Sequence, residues 1–196
     1  MAAQSTLRNM VLCLTAVCLV CAAILGGVYV ITLDPISQAG KKALKESLEM
    51  VLPTGGEISP EALTAELEGV QYEYYQSVKD GQVIAYAVKS TSIGFGGPLS
   101  IMVGLLPDGT VYNTSVLSHS ETPGLGAKCS TDPKFLANWS YESRQACGKK
   151  LEDIRVAKDG GDVDAITAST ITSRAYSLAV SNAVKFVKMI GGQENE

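Results

Sequence analysis
The first strong pattern in the chain is an unbroken apolar run. From Met10 to Leu33 the only polar side chains are two threonines, and no charge interrupts the Leu, Val, Ile, Ala, Cys and Gly around them. About 20 residues of this kind, at roughly 1.5 Å rise each, cross the hydrocarbon core of a bilayer, which is about 30 Å thick. The apolar part of a cleaved signal peptide is shorter, about 7 to 15 residues. The run therefore predicts a retained membrane anchor over residues 1–33. A lipidated cysteine is not expected, because Val17 and Val20, rather than small residues, precede Cys18 and Cys21.

The pattern then changes twice. Ile36, Ala39, Ala43 and Leu44 recur at helical spacing after Asp34-Pro35, a dipeptide suited to opening a helix or to extending the one before it. Pro53, Gly55 and Gly56 break that pattern, and Ser59-Pro60 predicts a short capped helix to about Glu68, so residues 34–70 read as a helical linker. From Tyr72 the chain alternates like strands. Tyr72–Lys79 and Val83–Lys89 flank the turn residues Asp80-Gly81, and Leu99, Ile101, Val103 and Leu105 share one face of a strand that returns through Val111–Leu117. Phe135, Leu136 and Trp139 suggest a short apolar helix after Asp132-Pro133, and Gly160-Gly161 marks a loop. The last element is an amphipathic helix with Ala175, Leu178, Ala179, Asn182, Phe186, Met189 and Ile190 mostly on one face, ending at Gly191-Gly192. The expected fold class is α+β: one transmembrane helix, then a domain over residues 71–196 with antiparallel hairpins and a closing amphipathic helix.

Charge narrows the function. The net charge is -4 and no Lys/Arg cluster is present, so the electrostatic attraction on which nucleic-acid binding depends has no source. Arg8 before the span and Lys41-Lys42 after it leave orientation open by the positive-inside rule. Cys13, Cys18 and Cys21 lie in the span as small apolar fillers, and no metal site is expected. Cys129 and Cys147 lie in the domain, where the redox compartment decides between a disulfide and two thiols. Asn138-Trp139-Ser140 formally permits glycosylation. No nucleophile with a paired base stands out, so no catalytic residue is assigned.

Two segments carry candidate chemistry. Thr167, Ala168, Ser169, Thr170, Ile171, Thr172 and Ser173 lead into the final helix. Their hydroxyls can cap the free N–H groups of a first turn, and the same open N–H groups can receive a phosphate. The second segment, Glu121–Lys128, reads ETPGLGAK directly after a strand. Gly124 and Gly126 permit close approach to a flat ligand, Pro123 stiffens the turn and Lys128 supplies positive charge. His119 and Trp139 are lesser candidates, as a donor to a ligand and a stacking platform.

Together with Gly94-Phe95-Gly96-Gly97-Pro98, these segments and Asp164–Arg174 (DAITASTITSR) resemble the FMN-binding domain shared by the Rnf and Na+-translocating NADH:quinone reductase complexes. The resemblance covers about Tyr86 to Phe186, and one span and modest length make the chain most similar to the G-subunit branch of the Rnf family. It implies a covalent-FMN electron-transfer subunit of a membrane-bound ferredoxin:NAD oxidoreductase, placed at the cell membrane with its domain outside the cytoplasm. Its implied partners are the other subunits of the complex and a flavin transferase, which joins the FMN phosphate to the threonine ending a Ser/Thr-Gly-Ala-Thr motif. That position is Thr170. Ala168 stands where the family usually has Gly, and Ser169 where it usually has Ala, which adds a competing hydroxyl. Thr167 and Thr172 belong to the same site, and Asp164 matches the acidic residue that leads the motif. Glu121, Thr122, Gly124, Leu125, Gly126 and Lys128 are the implied surroundings of the cofactor. The rival reading is a membrane-tethered scaffold whose hydroxyl cluster merely caps a helix.

Overall fold
The computed structural model describes residues 6–149 and 151–193 and divides into two units, one ending at Ala43 and one beginning at Leu44. Helix α1, Leu7–Val51, supplies the first unit and the opening turns of the second. Every described side chain up to Ala43 is exposed, on all sides of a helix whose run from Met10 to Leu33 is apolar. A helix that is apolar all round with no protein against it is what a bilayer covers. Pro35 lies inside α1 and extends it, although its ring nitrogen has no N–H to offer the preceding turn.

The second unit is built on an antiparallel sheet. Its strands are β1 (Glu57–Ile58), β2 (Leu63–Leu67), β3 (Val70–Lys79), β4 (Gln82–Ile93), β5 (Pro98–Leu105) and β6 (Val111–Ser118). The order is β1-β3-β4-β5-β6, and β2 also pairs with β3. Asp80 and Gly81 join β3 to β4 with φ of 53° and 79°, the two positive values that a tight two-residue hairpin needs. Three short elements follow: a 3-10 turn at Gly126–Ser130, α2 (Pro133–Ala137) and α3 (Tyr141–Ala146). A second 3-10 turn, Ala157–Asp159, precedes the closing helix α4, Thr170–Gln193.

Side-chain size sorts the two faces of the sheet. Tyr86, Val88, Leu99, Ile101, Val103 and Leu105 pack with Tyr176, Val180, Phe186 and Val187 of α4 in the main core. On the other face Ala85, Ala87 and Met102 meet Leu48, Val51 and Leu52 from the end of α1 and the residue after it. Each large aliphatic side chain so buried contributes about 1.5–3 kcal/mol. The small residues let α1 come close: a Cβ at Gly104 would lie 1.8 Å from the Val51 carbonyl oxygen. Asn113 Nδ2 donates to the Met50 carbonyl at 3.1 Å, meeting one of the acceptors left open at the helix end.

Several expectations change here. Residues 34–70 are helix only to Val51, and Leu63–Leu67 is a strand rather than part of a capped helix. Ser59 does not cap a helix either, because its N–H donates to the Gln76 carbonyl and its Oγ accepts from Gln76 N at 3.2 Å. The pairing needs of β3 override local helix propensity, and Glu68-Gly69, at φ of 53° and 80°, makes the reversal. The buried face of α4 keeps Ala175, Ala179, Phe186 and Ile190 of the expected one but is wider and turned to one side. Leu178 is exposed, while Tyr176, Val180, Ala183 and Val187 are buried.

Trp139 belongs to the core, stacked on Tyr176 at 5.1 Å and edge-on to Phe135 at 5.9 Å. The glycosylation triplet is closed by burial: Asn138 is 3% exposed and its amide nitrogen donates to the Phe135 and Asp164 carbonyls. Cys129 is buried, Cys147 is exposed, and both are free thiols. Replacing Gly104 by Val should push the end of α1 off the sheet and lower unfolding free energy by about 3 kcal/mol, measurable by denaturation of the detergent-solubilised chain.

Candidate functional site at the start of the closing helix
Three loops converge on the N-terminus of α4. They are Gly94–Gly97 between β4 and β5, the stretch from His119 to Gly126 after β6, and the turn Ile166–Ser169. Between them lies a cleft of ≈ 330 Å³ lined by Phe95, Glu121, Thr122, Leu125, Gly126 and residues Ala168 to Thr172.

Glu121 ties two of these loops to the first turn of α4. It is only 6% exposed. Its Oε2 accepts from Thr172 Oγ1 of α4 at 2.9 Å, and its Oε1 accepts from Gly96 N at 3.3 Å. Its own backbone N–H donates to His119 Nδ1 at 3.2 Å, so the histidine orients the loop and is absent from the cleft lining. The carboxylate occupies space that glycines leave. A Cβ at Gly94 would sit 2.0 Å from Oε1, and one at Gly126 would sit 2.3 Å from Oε2. Gly126 thus makes room for Glu121 rather than for a ligand's flat face. The carboxylate is also felt beneath the site, where burial, and then the Glu121 charge, push the Cys129 thiol up to about 11.

Pro123 and Gly124 shape the adjoining turn. Leu125 N donates to the Thr122 carbonyl at 3.2 Å and Gly124 has φ of 76°, the conformation a type II turn requires after proline. The turn presents Thr122 and Leu125 to the cleft.

The turn before α4 has the same logic with a less suitable residue. Ser169 N donates to the Ile166 carbonyl at 3.1 Å, and Ala168, third in that turn, has φ of 62°. A left-handed conformation costs an L-residue with a Cβ about 1–2 kcal/mol and costs glycine almost nothing. The turn persists because Ser173 locks it: Ser173 Oγ accepts from Ile166 N and donates to the Ser169 carbonyl, both at 3.0 Å.

Two hydroxyls at the helix start are engaged elsewhere, Thr172 with Glu121 and Ser173 with the turn, and among the described residues Thr170 Oγ1 meets only Lys158 Nζ, at 3.5 Å. The N–H groups of Thr170, Ile171 and Thr172 have no acceptor among the described residues. The expected alternative, a hydroxyl cluster that caps the helix, is not what the geometry shows. Open N–H groups at the positive end of a 24-residue helix favour an anion.

Of the residues singled out from sequence, Glu121, Thr122, Leu125, Gly126, Ala168, Ser169, Thr170 and Thr172 line the cleft, whereas Gly124, Lys128 and Thr167 do not. Lys128 is exposed, and Asp164 lies outside the lining in an ion pair with Lys149 at 2.8 Å. Thr170 is half-buried, while the competing Ser169 is only 8% exposed. Phe95 and Ile171 were not anticipated as site residues. Both are exposed, at 70% and 52%, and with Leu125 they give the cleft an apolar rim. The signal for Phe95 was available, since a lone aromatic among three glycines has no core to enter.

The model of the FMN-binding domain family matches residues 94–185, the stretch that contains all three loops and most of α4. Among curated relatives, the G subunit of the ion-translocating oxidoreductase complex of Vibrio cholerae is 34% identical over 169 residues, covering 81% of this chain and 79% of its own length. The G subunit of the proton-translocating ferredoxin:NAD(+) oxidoreductase complex of Clostridium ljungdahlii is 31% identical, covering 91% and 90%. Among solved structures, the C subunit of the Na+-translocating NADH-quinone reductase from Parabacteroides distasonis aligns over 60% of this chain and 62% of its own, with 27% identity and a TM-score of 0.42. Residues 94–185 thus match the wider class of FMN-binding domains. Within that class the chain is a member of the G-subunit family of ion-translocating oxidoreductase complexes.

Replacing Ala168 by Gly relieves the left-handed methyl and should raise unfolding free energy by about 1 kcal/mol, read as a higher denaturation midpoint.

Proposed function
We propose that the chain is the flavin electron-transfer subunit of a membrane-bound ferredoxin:NAD oxidoreductase complex, with FMN held covalently as a phosphoester on Thr170 and the domain outside the cytoplasm. Family membership supports the flavin and the complex. One observation supports Thr170 as the attachment point: a half-buried hydroxyl with no structural duty, set beside three N–H groups that lack acceptors among the described residues. Ser169 is buried and Thr167 lies outside the cleft.

The residues present fit such a group. The N–H groups of Thr170, Ile171 and Thr172 would receive the phosphate, and the apolar side chains of Phe95, Leu125 and Ile171 offer a surface for a flat ring. Bound flavin supplies the ability to accept and pass on electrons one or two at a time. The protein's part is to fix the tether, shield the ring's apolar faces and set the local charge through Glu121. A tether retains a cofactor that, outside the cytoplasm, the cell's flavin pool could not replace. The anchor, residues 1–33 in this proposal, carries no ionisable side chain other than cysteine thiols and Tyr29 between Met10 and Leu33, so an ion path belongs to the partner subunits of the complex.

Two experiments test this reading. Co-expressed with a flavin transferase and run on a denaturing gel, the wild-type band should fluoresce under ultraviolet light and Thr170→Ala should be dark. A dark wild-type band would return the chain to the scaffold reading, and a bright Thr170→Ala band would move the attachment elsewhere. In membrane vesicles of known sidedness, protease added from the extracytoplasmic face should digest the domain. Digestion only from the cytoplasmic face would reverse the orientation.

A further inference from the structure
The ammonium that meets Thr170 among the described residues comes from outside the family motif. Lys158 lies on the 3-10 turn Ala157–Asp159, and its Nζ is 3.5 Å from Thr170 Oγ1. We propose that Lys158 is the cationic ligand of the phosphate at Thr170, both while the flavin is attached and in the finished phosphodiester. This inference rests on the attachment proposed above.

The turn that carries Lys158 is fixed in place. Ala157 N donates to the Val163 carbonyl and Asp159 N to the Val156 carbonyl, each at 2.8 Å. Gly160 closes the turn at φ of 84°, and a Cβ on Gly161 would meet the Arg155 carbonyl oxygen at 2.2 Å. Asp159 then accepts from Arg174 Nε at 2.7 Å and Nη2 at 2.6 Å. Arg174 stands four residues after Thr170, on the same face of α4. This two-pronged pair clamps the turn to the helix, and the Arg174 hydrogen bonds hold the Asp159 carboxyl below its ordinary range.

The clamp also decides which cation is available. Arg174 is taken by Asp159 and Arg155 by Asp153, whereas Lys158 has no carboxylate partner among the described residues. A phosphodiester carries one negative charge, and a single free ammonium beside three open N–H groups complements it.

During attachment Thr170 Oγ1 bonds to the FMN phosphorus of a flavin phosphoanhydride, the anhydride P–O bond breaks, and the distal phosphate leaves with its nucleoside. The hydroxyl proton passes to a base on the transferase. No electron is gained or lost. Negative charge builds on the non-bridging oxygens as the bonds exchange, and Lys158 is placed to stabilise it.

The test uses the full-length chain in detergent, a purified flavin transferase, and flavin adenine dinucleotide as the phosphoanhydride, with initial rates of labelling read from gel fluorescence. Removing one charge-assisted contact should slow Lys158→Ala by about tenfold, with Lys158→Glu slower still. Lys158→Arg keeps the charge and should stay within about threefold of wild type. Labelling of Lys158→Ala at the wild-type rate would overturn the proposal. So would a Lys158→Arg rate as low as that of Lys158→Ala, because charge would then not be the property that matters. Failure of the underlying reading looks different: an unlabelled wild type, or labelled Thr170→Ala.

Discussion

The site is organised by one buried carboxylate. Glu121 reaches the first turn of α4 through Thr172 and the β4–β5 loop through Gly96, while His119 fixes its own backbone. Burying a charge is costly unless hydrogen bonds replace the water it loses, so these contacts must form together. Gly94 and Gly126 are constrained by the same group, since a Cβ on either would collide with its oxygens. Two loops distant in sequence and the start of α4 are thereby held in one arrangement.

That arrangement explains how the hydroxyl-rich segment is divided. Serine and threonine at a helix start normally cap it. Here Thr172 and Ser173 are drawn away, one to Glu121 and one to the preceding turn, and among the described residues no hydroxyl covers the first N–H groups. The helix start stays chemically open, and Thr170 stands beside it with its oxygen uncommitted to the fold.

Much of this was legible in the sequence where the signal was local or periodic. The Asp80-Gly81 hairpin, the alternation from Leu99 to Leu105 and the Asp132-Pro133 helix start each follow from neighbouring residues, and the structure contains all three. What was not legible depends on partners far along the chain. Leu63–Leu67 looks helical until β3 claims it as a strand, and the buried face of α4 is set by where the sheet lies rather than by the helix alone. At the site, the two segments that line the cleft could be marked from their residues and family likeness. The role of Glu121 as a bridge, the use of Gly126 by that carboxylate, and the apolar rim of Phe95 and Ile171 needed three dimensions.

The uncommitted state of the Thr170 oxygen bears on the order of events in making this protein. The buried core and the Glu121 bridge are complete without any bond from that oxygen. On the attachment proposed above, a chain in this condition would finish folding first and be loaded afterwards. An attaching enzyme would then meet a finished surface rather than a nascent peptide, and its recognition would depend on shape brought together from separate loops.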